Sequence, residues 1–178
     1  MGAEIINNFK DKKVWIFQSN PKYYRILDAL CTLDEILFMV SRYRSEIQKG
    51  DTVLLWVSGK YAGIYAIGIV SDQITERTSP EKDVKFWVDP SADQAPKPRA
   101  PIKILKRFLG NPILKKDILN IPELTYLAIL KQPNATNFRV TEQEWQALSS
   151  LLPKAETISP QDDIKKWAAK QARGGKIY

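Results

Sequence analysis

The sequence contains no histidine and a single cysteine, Cys31, among its 178 residues. The missing histidine excludes mechanisms that use imidazole as a base, and a lone cysteine excludes an intramolecular disulfide. Together the two absences exclude zinc sites built from cysteine and histidine. The chain also lacks a glycine-rich phosphate loop, a Gly-x-Ser-x-Gly motif and a paired acidic motif. We therefore expect a binding protein without metal or cofactor. An enzyme built on carboxylates such as Asp28, Asp34 and Glu35 is an alternative, although these residues resemble capping and surface residues of a helix.

Long apolar runs are absent as well. Stretches such as IYAIGIV and VLLWV are far shorter than the roughly 20 residues of a membrane-spanning helix. The first residues, MGAEIINNFKDKK, have neither the apolar core nor the cleavage site of a signal peptide. We expect a cytoplasmic protein with one domain over residues 1–153. A polar linker and a short helix follow over residues 154–178, and this helix either packs on the domain or leads to a further one.

Acidic residues are missing between Asp93 and Asp117, whereas seven lysines and arginines fall in this stretch. The whole chain carries a formal net charge of +7. Excess positive charge favours nucleic acid through phosphate contacts and counterion release. We interpret the stretch as a surface that follows a phosphate backbone. Its expected phosphate ligands are Lys103, Lys106 and Arg107, and an ordinary solvated surface is the alternative.

Apolar runs rich in β-branched and aromatic residues predict strands, and Gly, Asn and Pro mark the turns between them. The predicted strands are Val14–Phe17, Leu37–Val40, Val53–Val57, Gly63–Val70, Val84–Val88 and Ala100–Leu105. The predicted helices are Tyr23–Leu30, Ile113–Leu119 and Glu142–Leu152, the last beginning at a capping box with Thr141. Strands and helices follow one another at short spacing without regular β-α-β alternation, and this pattern predicts an α+β fold. Its sheet should be mainly antiparallel and curved, with flanking helices.

Four parts of the sequence carry a family resemblance: VWIFQSNP, the pair Arg42 and Tyr43, IQKGDTVLLWVSGKYAGIYAIGIV and ATNFRVTEQEWQAL. Through them most of the chain resembles the EVE domain, a branch of the PUA-like superfamily that also contains YTH and ASCH domains. The resemblance spans Val14 to Leu152 and implies a PUA-like pseudobarrel with one pocket for an extruded base.

Two of these segments are similar to the EVE branch found beside nucleases and GTPases in modification-dependent restriction systems. This similarity implies methylated or hydroxymethylated cytosine in DNA as the ligand, and a fused or associated nuclease or GTPase as a partner. The same similarity implies the recognition part of a defence or regulatory protein. The alternative is a PUA-type module that binds RNA without a modified base.

The expected aromatic walls of the pocket are Trp56 and Trp87. Trp56 ends a strand next to the Ser58-Gly59 turn, which the resemblance places at the pocket, and its alternative is a place in the core. Phe38 stands where related domains often have a tryptophan. Tyr23 and Tyr43 either line the pocket or cover the core.

Polar groups cluster where the first predicted strand ends, at Gln18, Ser19 and Asn20. Their amides and hydroxyl suit the hydrogen-bonding edge of a base. Asn20 as a simple helix cap is an equally good interpretation. Ser41 and Ser58 complete the predicted pocket. Arg42 and Lys60 are the predicted phosphate ligands beside it, with a solvated surface role as their alternative.

Overall fold

The computed structural model describes residues 12–152 and 160–173 of the chain. Its strands are β1 (Val14–Ser19), β2 (Glu35–Met39), β3 (Thr52–Val57), β4 (Gly63–Val70), β5 (Thr75–Arg77), β6 (Lys97–Arg107), β7 (Ile113–Leu114) and β8 (Asn137–Val140). Its α-helices are α1 (Ile26–Thr32), α2 (Glu81–Val84), α3 (Lys115–Ile118), α4 (Ala128–Lys131), α5 (Glu142–Leu151) and α6 (Pro160–Ala172). Short 3-10 helices lie at Pro90–Asp93 and Pro122–Leu124.

The strands form one curled sheet in the order β2-β6-β4-β3-β1-β8, with β5 beside β6 and β7 beside β4. The β1–β3 pair is parallel, and the other pairs are antiparallel. Irregular register at Leu55/Trp56 and at Ile67/Gly68 marks bulges, which increase the bend of a sheet. A Cβ on Gly68 would lie 2.5 Å from Lys103 O, so this crossing requires glycine. The predicted α+β pseudobarrel is confirmed.

Both faces of the sheet are covered, which gives the domain two apolar clusters. On β3, Val53, Leu55 and Val57 point into a first cluster inside the curl, which α1 fills. Leu54 and Trp56 point the other way into a second cluster, which α3, α4 and α5 cover. Every residue of β3 after Thr52 is therefore buried.

Three predicted elements differ from the structure. The chain after Asn20 forms a turn in which Tyr23 N and Tyr24 N both donate to Asn20 O, so α1 begins only at Ile26. The predicted strand Val84–Val88 is instead the end of α2, a turn and one isolated bridge between Trp87 and Tyr24. The predicted helix Ile113–Leu119 starts with two residues that pair with β4.

Helix α6 packs on the domain through one buried carboxylate. Asp163 is 3% exposed and accepts hydrogen bonds from Leu109 N and Gly110 N, just after β6. Ile164 and Trp167 pack against the first cluster. These contacts favour packing on the domain over the tether that the sequence leaves open. The predicted linker from Lys154, as far as residue 159, lies outside the described residues.

Replacing Asp163 by Ala should loosen α6, since a buried amide without an acceptor costs about 1 to 3 kcal/mol. We expect the thermal midpoint of unfolding to fall by roughly 5 °C. The exposed neighbour Asp162, replaced by Ala, is the control, and equal effects of both variants would contradict the packing.

Candidate nucleic-acid interface

Four chain segments meet where β1, β2 and β3 end and β8 begins. Because β1 and β3 are parallel neighbours, their carboxyl ends lie side by side, and Ser58 N donates to Ser19 O over 3.0 Å. Gln18 Nε2 donates to Pro133 O and to Ala135 O, each over 2.7 Å. We call the surface formed by residues 18–24, 39–43, 58–62 and 132–136 the rim.

Asn137 joins the two outermost strands of the sheet order at this rim. Its side chain is fully buried, and its Oδ1 accepts from Ser41 N at 3.0 Å and from Arg42 N at 3.3 Å. Its Nδ2 donates to Met39 O at 3.2 Å. The Ser41 and Thr136 hydroxyls also bond to each other. The end of β2 is thereby fixed to the start of β8.

Arg42 places positive charge on the rim in a fixed position. Its Nη1 donates to Gln132 Oε1 at 2.7 Å, and its Cζ lies 5.2 Å from the ring centre of Tyr43. Tyr43 has a φ of 60°, the left-handed conformation, and its ring packs against Trp15 with centroids 5.3 Å apart. Tyr43 therefore covers the core at the rim, which is one of its two expected roles.

Two tyrosines of the rim are exposed, and each has a lysine over its ring. Tyr23 is 58% exposed, with Lys22 Nζ 5.7 Å from its ring centre. Tyr61 is 40% exposed, with Lys60 Nζ 5.4 Å from its ring centre. Aromatic faces combined with positive charge are typical of surfaces that bind unpaired nucleotides.

Trp87 lies beside the rim because its backbone pairs with the first rim segment. Tyr24 and Trp87 form an isolated bridge, and Val88 N donates to Tyr23 O over 2.9 Å. The half-buried indole donates from Nε1 to Ser79 Oγ at 3.1 Å. Arg99 Cζ lies 5.8 Å from its ring centre. The orientation of this ring is therefore fixed by hydrogen bonding and by the arginine.

Behind Trp87 lies a buried network of charged groups. Arg99 is 1% exposed, pairs with Asp93, and donates from Nε to Arg77 O at 3.0 Å. Asp83 accepts from the Tyr24 hydroxyl, and its Oδ2 has no hydrogen-bond partner. Burial raises the pKa of both Asp83 and Tyr24 and lowers the pKa of Arg99.

The EVE domain family model matches residues 13–151, a range that contains β1 to β8 and all four segments of the rim. The chain belongs to the EVE domain family. No curated protein matches the sequence significantly.

Solved structures share the fold of this EVE domain at low sequence identity. The human THYN1 protein in complex with 5-methylcytosine containing DNA matches with a TM-score of 0.56 and 13% identity, covering 83% of this chain and 100% of that chain. A hypothetical protein from Leishmania major has a TM-score of 0.59 and 19% identity, covering 80% and 95%. A Pseudomonas syringae protein has a TM-score of 0.57 and 20% identity, covering 78% and 98%.

The structure brings most of the predicted site residues of the EVE domain to the rim. These are Gln18, Ser19, Asn20, Tyr23, Ser41, Arg42, Ser58 and Lys60. Asn20 is exposed and its Oδ1 accepts from Lys22 N at 2.9 Å, so it caps a turn rather than a helix. Phe38 is 7% exposed and packs against Phe17 inside the curl. Sequence reasoning missed Asn137, because nothing in ATNFRV distinguishes a buried asparagine from an exposed one.

The prediction of Trp56 as an aromatic wall is wrong. The ring is 3% exposed and lies in the second cluster, on the sheet face opposite to Phe17 and Phe38. The helical layer covers this face, so neither side of the Trp56 ring is open to a base.

The predicted phosphate-binding surface over Lys103, Lys106 and Arg107 is also not a continuous face. The Arg107 guanidinium donates to Leu30 O at 2.6 Å and to Leu33 O at 2.9 Å, at the end of α1. Lys106 packs over the Phe108 ring, and burial lowers its pKa. Lys103 is exposed. Arg107 is therefore a structural cap, and Lys103 alone keeps a fully solvated position.

A concave surface with a volume of about 460 Å³ lies away from the rim, at the opposite end of β1 and β8. Lys13 and Arg139 line it, and both pair with Glu46. It contains none of the predicted site residues. Over residues 12–152 and 160–173, no group of three acidic or cysteine side chains is placed to hold a metal ion. The same residues include no helix long and apolar enough to cross a membrane.

Replacing Trp56 by Ala should destabilise the domain, because removing a buried tryptophan leaves a cavity that costs about 3 to 5 kcal/mol. Urea unfolding of the variant measures this loss. Tyr23→Ala, at an exposed position, is the matched control and should change stability little. A Trp56→Ala variant as stable as the control would show that the ring does not belong to the core.

Asp83 should make stability depend on pH. A carboxyl whose pKa is raised by folding contributes stability below its unfolded pKa of about 4, and this contribution is lost as pH rises through the folded pKa. Between pH 4 and 8, the wild type should therefore lose stability relative to Asp83→Asn. Asp89→Asn is the control: bonding by Ser91 lowers the pKa of Asp89, so its pH-dependent contribution falls below about pH 4 and its stability difference should stay constant from pH 4 to 8. A stability difference for Asp83→Asn that is constant with pH would contradict the raised pKa.

Proposed function

We propose that this EVE domain binds nucleic acid at the rim and holds there a modified base extruded from its strand, with methylated or hydroxymethylated cytosine in DNA as the preferred base. The observation that carries the proposal is the rim itself, where fixed polar groups, Arg42 and two exposed lysine–tyrosine pairs surround the strand ends. The shared fold with the human THYN1 protein, solved in complex with 5-methylcytosine containing DNA, supports DNA as the ligand. The domain acts as a reader and not as an enzyme.

Extruding a base from a duplex costs a few kcal/mol of lost stacking and pairing, which the protein must offset. Stacking on an aromatic side chain contributes about 1 to 3 kcal/mol per base. With Trp56 in the core, Tyr23 and Trp87 take the role of aromatic walls, since their backbones are adjacent and the Tyr23 ring is exposed. Phe38 lies deeper and offers an apolar contact from inside the curl.

The polar groups of the rim recognise the edge of the base. Ser19 and Ser58 lie at the hydrogen-bonded ends of the parallel strands, with Asn20 directly after them. Because Asn20 Oδ1 accepts from its own turn, its Nδ2 remains as a donor toward a base. Lys22, Lys60 and Arg42 place positive charge around this position and contact the flanking phosphates.

A panel of oligonucleotides that differ at one cytosine tests the proposal, with the base unmodified, methylated or hydroxymethylated. Fluorescence anisotropy on the full chain measures the affinity for duplex DNA, single-stranded DNA and RNA of the same sequence. Burial of a methyl group contributes about 0.8 kcal/mol, so we expect at least about fourfold tighter binding to methylated DNA. Equal binding to all cytosines, with salt-sensitive binding to plain RNA, would instead show a PUA-type RNA module.

Replacing Tyr23 by Ala should weaken binding to the preferred modified oligonucleotide by roughly tenfold to a hundredfold, because one stacking face is lost. Stability should change little, since the ring is exposed. Tyr126 offers a matched control: it is 79% exposed, with Lys131 Nζ 5.2 Å from its ring centre. Its neighbours Leu124 and Leu127 belong to the second cluster, so it lies on the helical layer. Equal losses of affinity in the two variants would remove Tyr23 from the site.

A further inference from the structure

The turn between β3 and β4 presents an exposed aromatic ring on a rigid backbone. Gly59 has a φ of 109°, a conformation that favours glycine, and Ala62 N donates to Gly59 O over 3.1 Å. The turn is also tied to its surroundings at both ends. Ser58 N donates to Ser19 O over 3.0 Å, and Ala62 O accepts from Lys115 N over 2.7 Å.

A hydrogen bond from a buried side chain fixes the backbone at the tip of the turn. The buried Tyr65, 1% exposed, donates its hydroxyl to Tyr61 O at 2.8 Å. The Tyr61 ring itself is 40% exposed, and Lys60 extends over it. A Cβ added to Gly59 would meet nothing within 4 Å, so the tip stands clear of the domain. An exposed ring on an anchored turn loses little conformational entropy when it binds.

The turn is close to the position proposed for the extruded base. Tyr61 follows Ser58 by three residues, so their Cα atoms are at most about 11 Å apart. Ser58 is bonded to Ser19 in the first rim segment. Base pairs of a duplex are stacked at intervals of about 3.4 Å, so the separation of Ser58 and Tyr61 is at most about three base steps. A base held beside Ser58 would leave its gap near the Tyr61 turn.

We propose that Tyr61 is a wedge that enters the DNA duplex beside the extruded base and stacks on the bases that the extrusion exposes. Lys60 contacts the phosphate next to this gap. Extrusion removes the stacking partner of each neighbouring base, and proteins that open or kink DNA often restore stacking with an inserted side chain. The wedge rests on the proposed function, because only base extrusion creates the gap. It adds that the preferred ligand is a duplex and not a single strand.

Tyr61→Ala and Tyr61→Phe test the wedge in the full chain, with the same methylated cytosine placed in a duplex and in a single strand. A single strand has no gap to fill, so a wedge matters only in the duplex. We expect Tyr61→Ala to weaken duplex binding by about tenfold and single-strand binding by less than about twofold. Tyr61→Phe keeps the ring and should bind both like the wild type. Unchanged thermal unfolding shows that the variants fold.

A second measurement uses 2-aminopurine as the base next to the methylated cytosine in the duplex. Its fluorescence reports stacking, so it should rise further in the complex with Tyr61→Ala than in the complex with the wild type. Equal affinity losses for duplex and single strand overturn the wedge, as do equal losses for Tyr61→Ala and Tyr126→Ala. Retained affinity in Tyr61→Ala also overturns it. If the wild type shows no preference for the modified base, that result contradicts the proposed function itself. A wild type that prefers the modified base, with Tyr61→Ala binding unchanged, contradicts the wedge alone.

Discussion

The architecture of the rim depends on one buried side-chain amide. Asn137 satisfies Met39 O, Ser41 N and Arg42 N, three backbone groups at the end of β2 that no strand pairs. Buried backbone groups without partners cost about 1 to 3 kcal/mol each, and aspartate could not donate to the carbonyl. The Asn137 side chain therefore joins β2 to β8, two strands that share no backbone hydrogen bonds. Without it, the segments 39–43 and 132–136 would be joined only by the Ser41–Thr136 and Arg42–Gln132 side-chain bonds.

A second constraint brings the ends of β1 and β3 together. Asp51 is 2% exposed and accepts from Lys13 N, Trp15 Nε1 and Gln48 N at 2.8 to 3.1 Å. The preceding Gly50 has a φ of 90°. This carboxylate fixes the start of β3 beside the start of β1, and a parallel pair then delivers both carboxyl ends to the same edge. The Gly-Asp pair is thus far from the rim and still determines which residues meet there.

The sequence predicts those elements whose signal is local. Strand β4 and the capping box of Thr141 and Glu144 agree with the structure, since turn glycines and caps act over a few residues. The face of Trp56 could not be predicted, because both faces of the sheet are covered and TVLLWV lacks the alternation that distinguishes them. Phe86 and Trp87 suggest a strand by composition, yet their partners are Tyr24 and Arg25, distant in sequence, and Ser79, just before α2. Arg99 lies within a basic stretch, and only the fold reveals its pairing with Asp93.

The buried charges around Arg99 are best understood through what they orient. A buried ion pair seldom stabilises a protein more than apolar residues of the same volume would, since desolvation offsets the attraction. This network joins Arg99 to Ser79 and Asp93, and Ser79 in turn accepts from Trp87. It therefore fixes an indole beside the rim, in one orientation. A reader that discriminates by a methyl group gains only about 0.8 kcal/mol from that group, so its selectivity must come from surfaces that do not adapt to the wrong base. Under the proposed function, the fixed orientations of Trp87 and of the Tyr61 turn would supply such surfaces, and the cost in stability of burying Asp83 and Arg99 would serve that role.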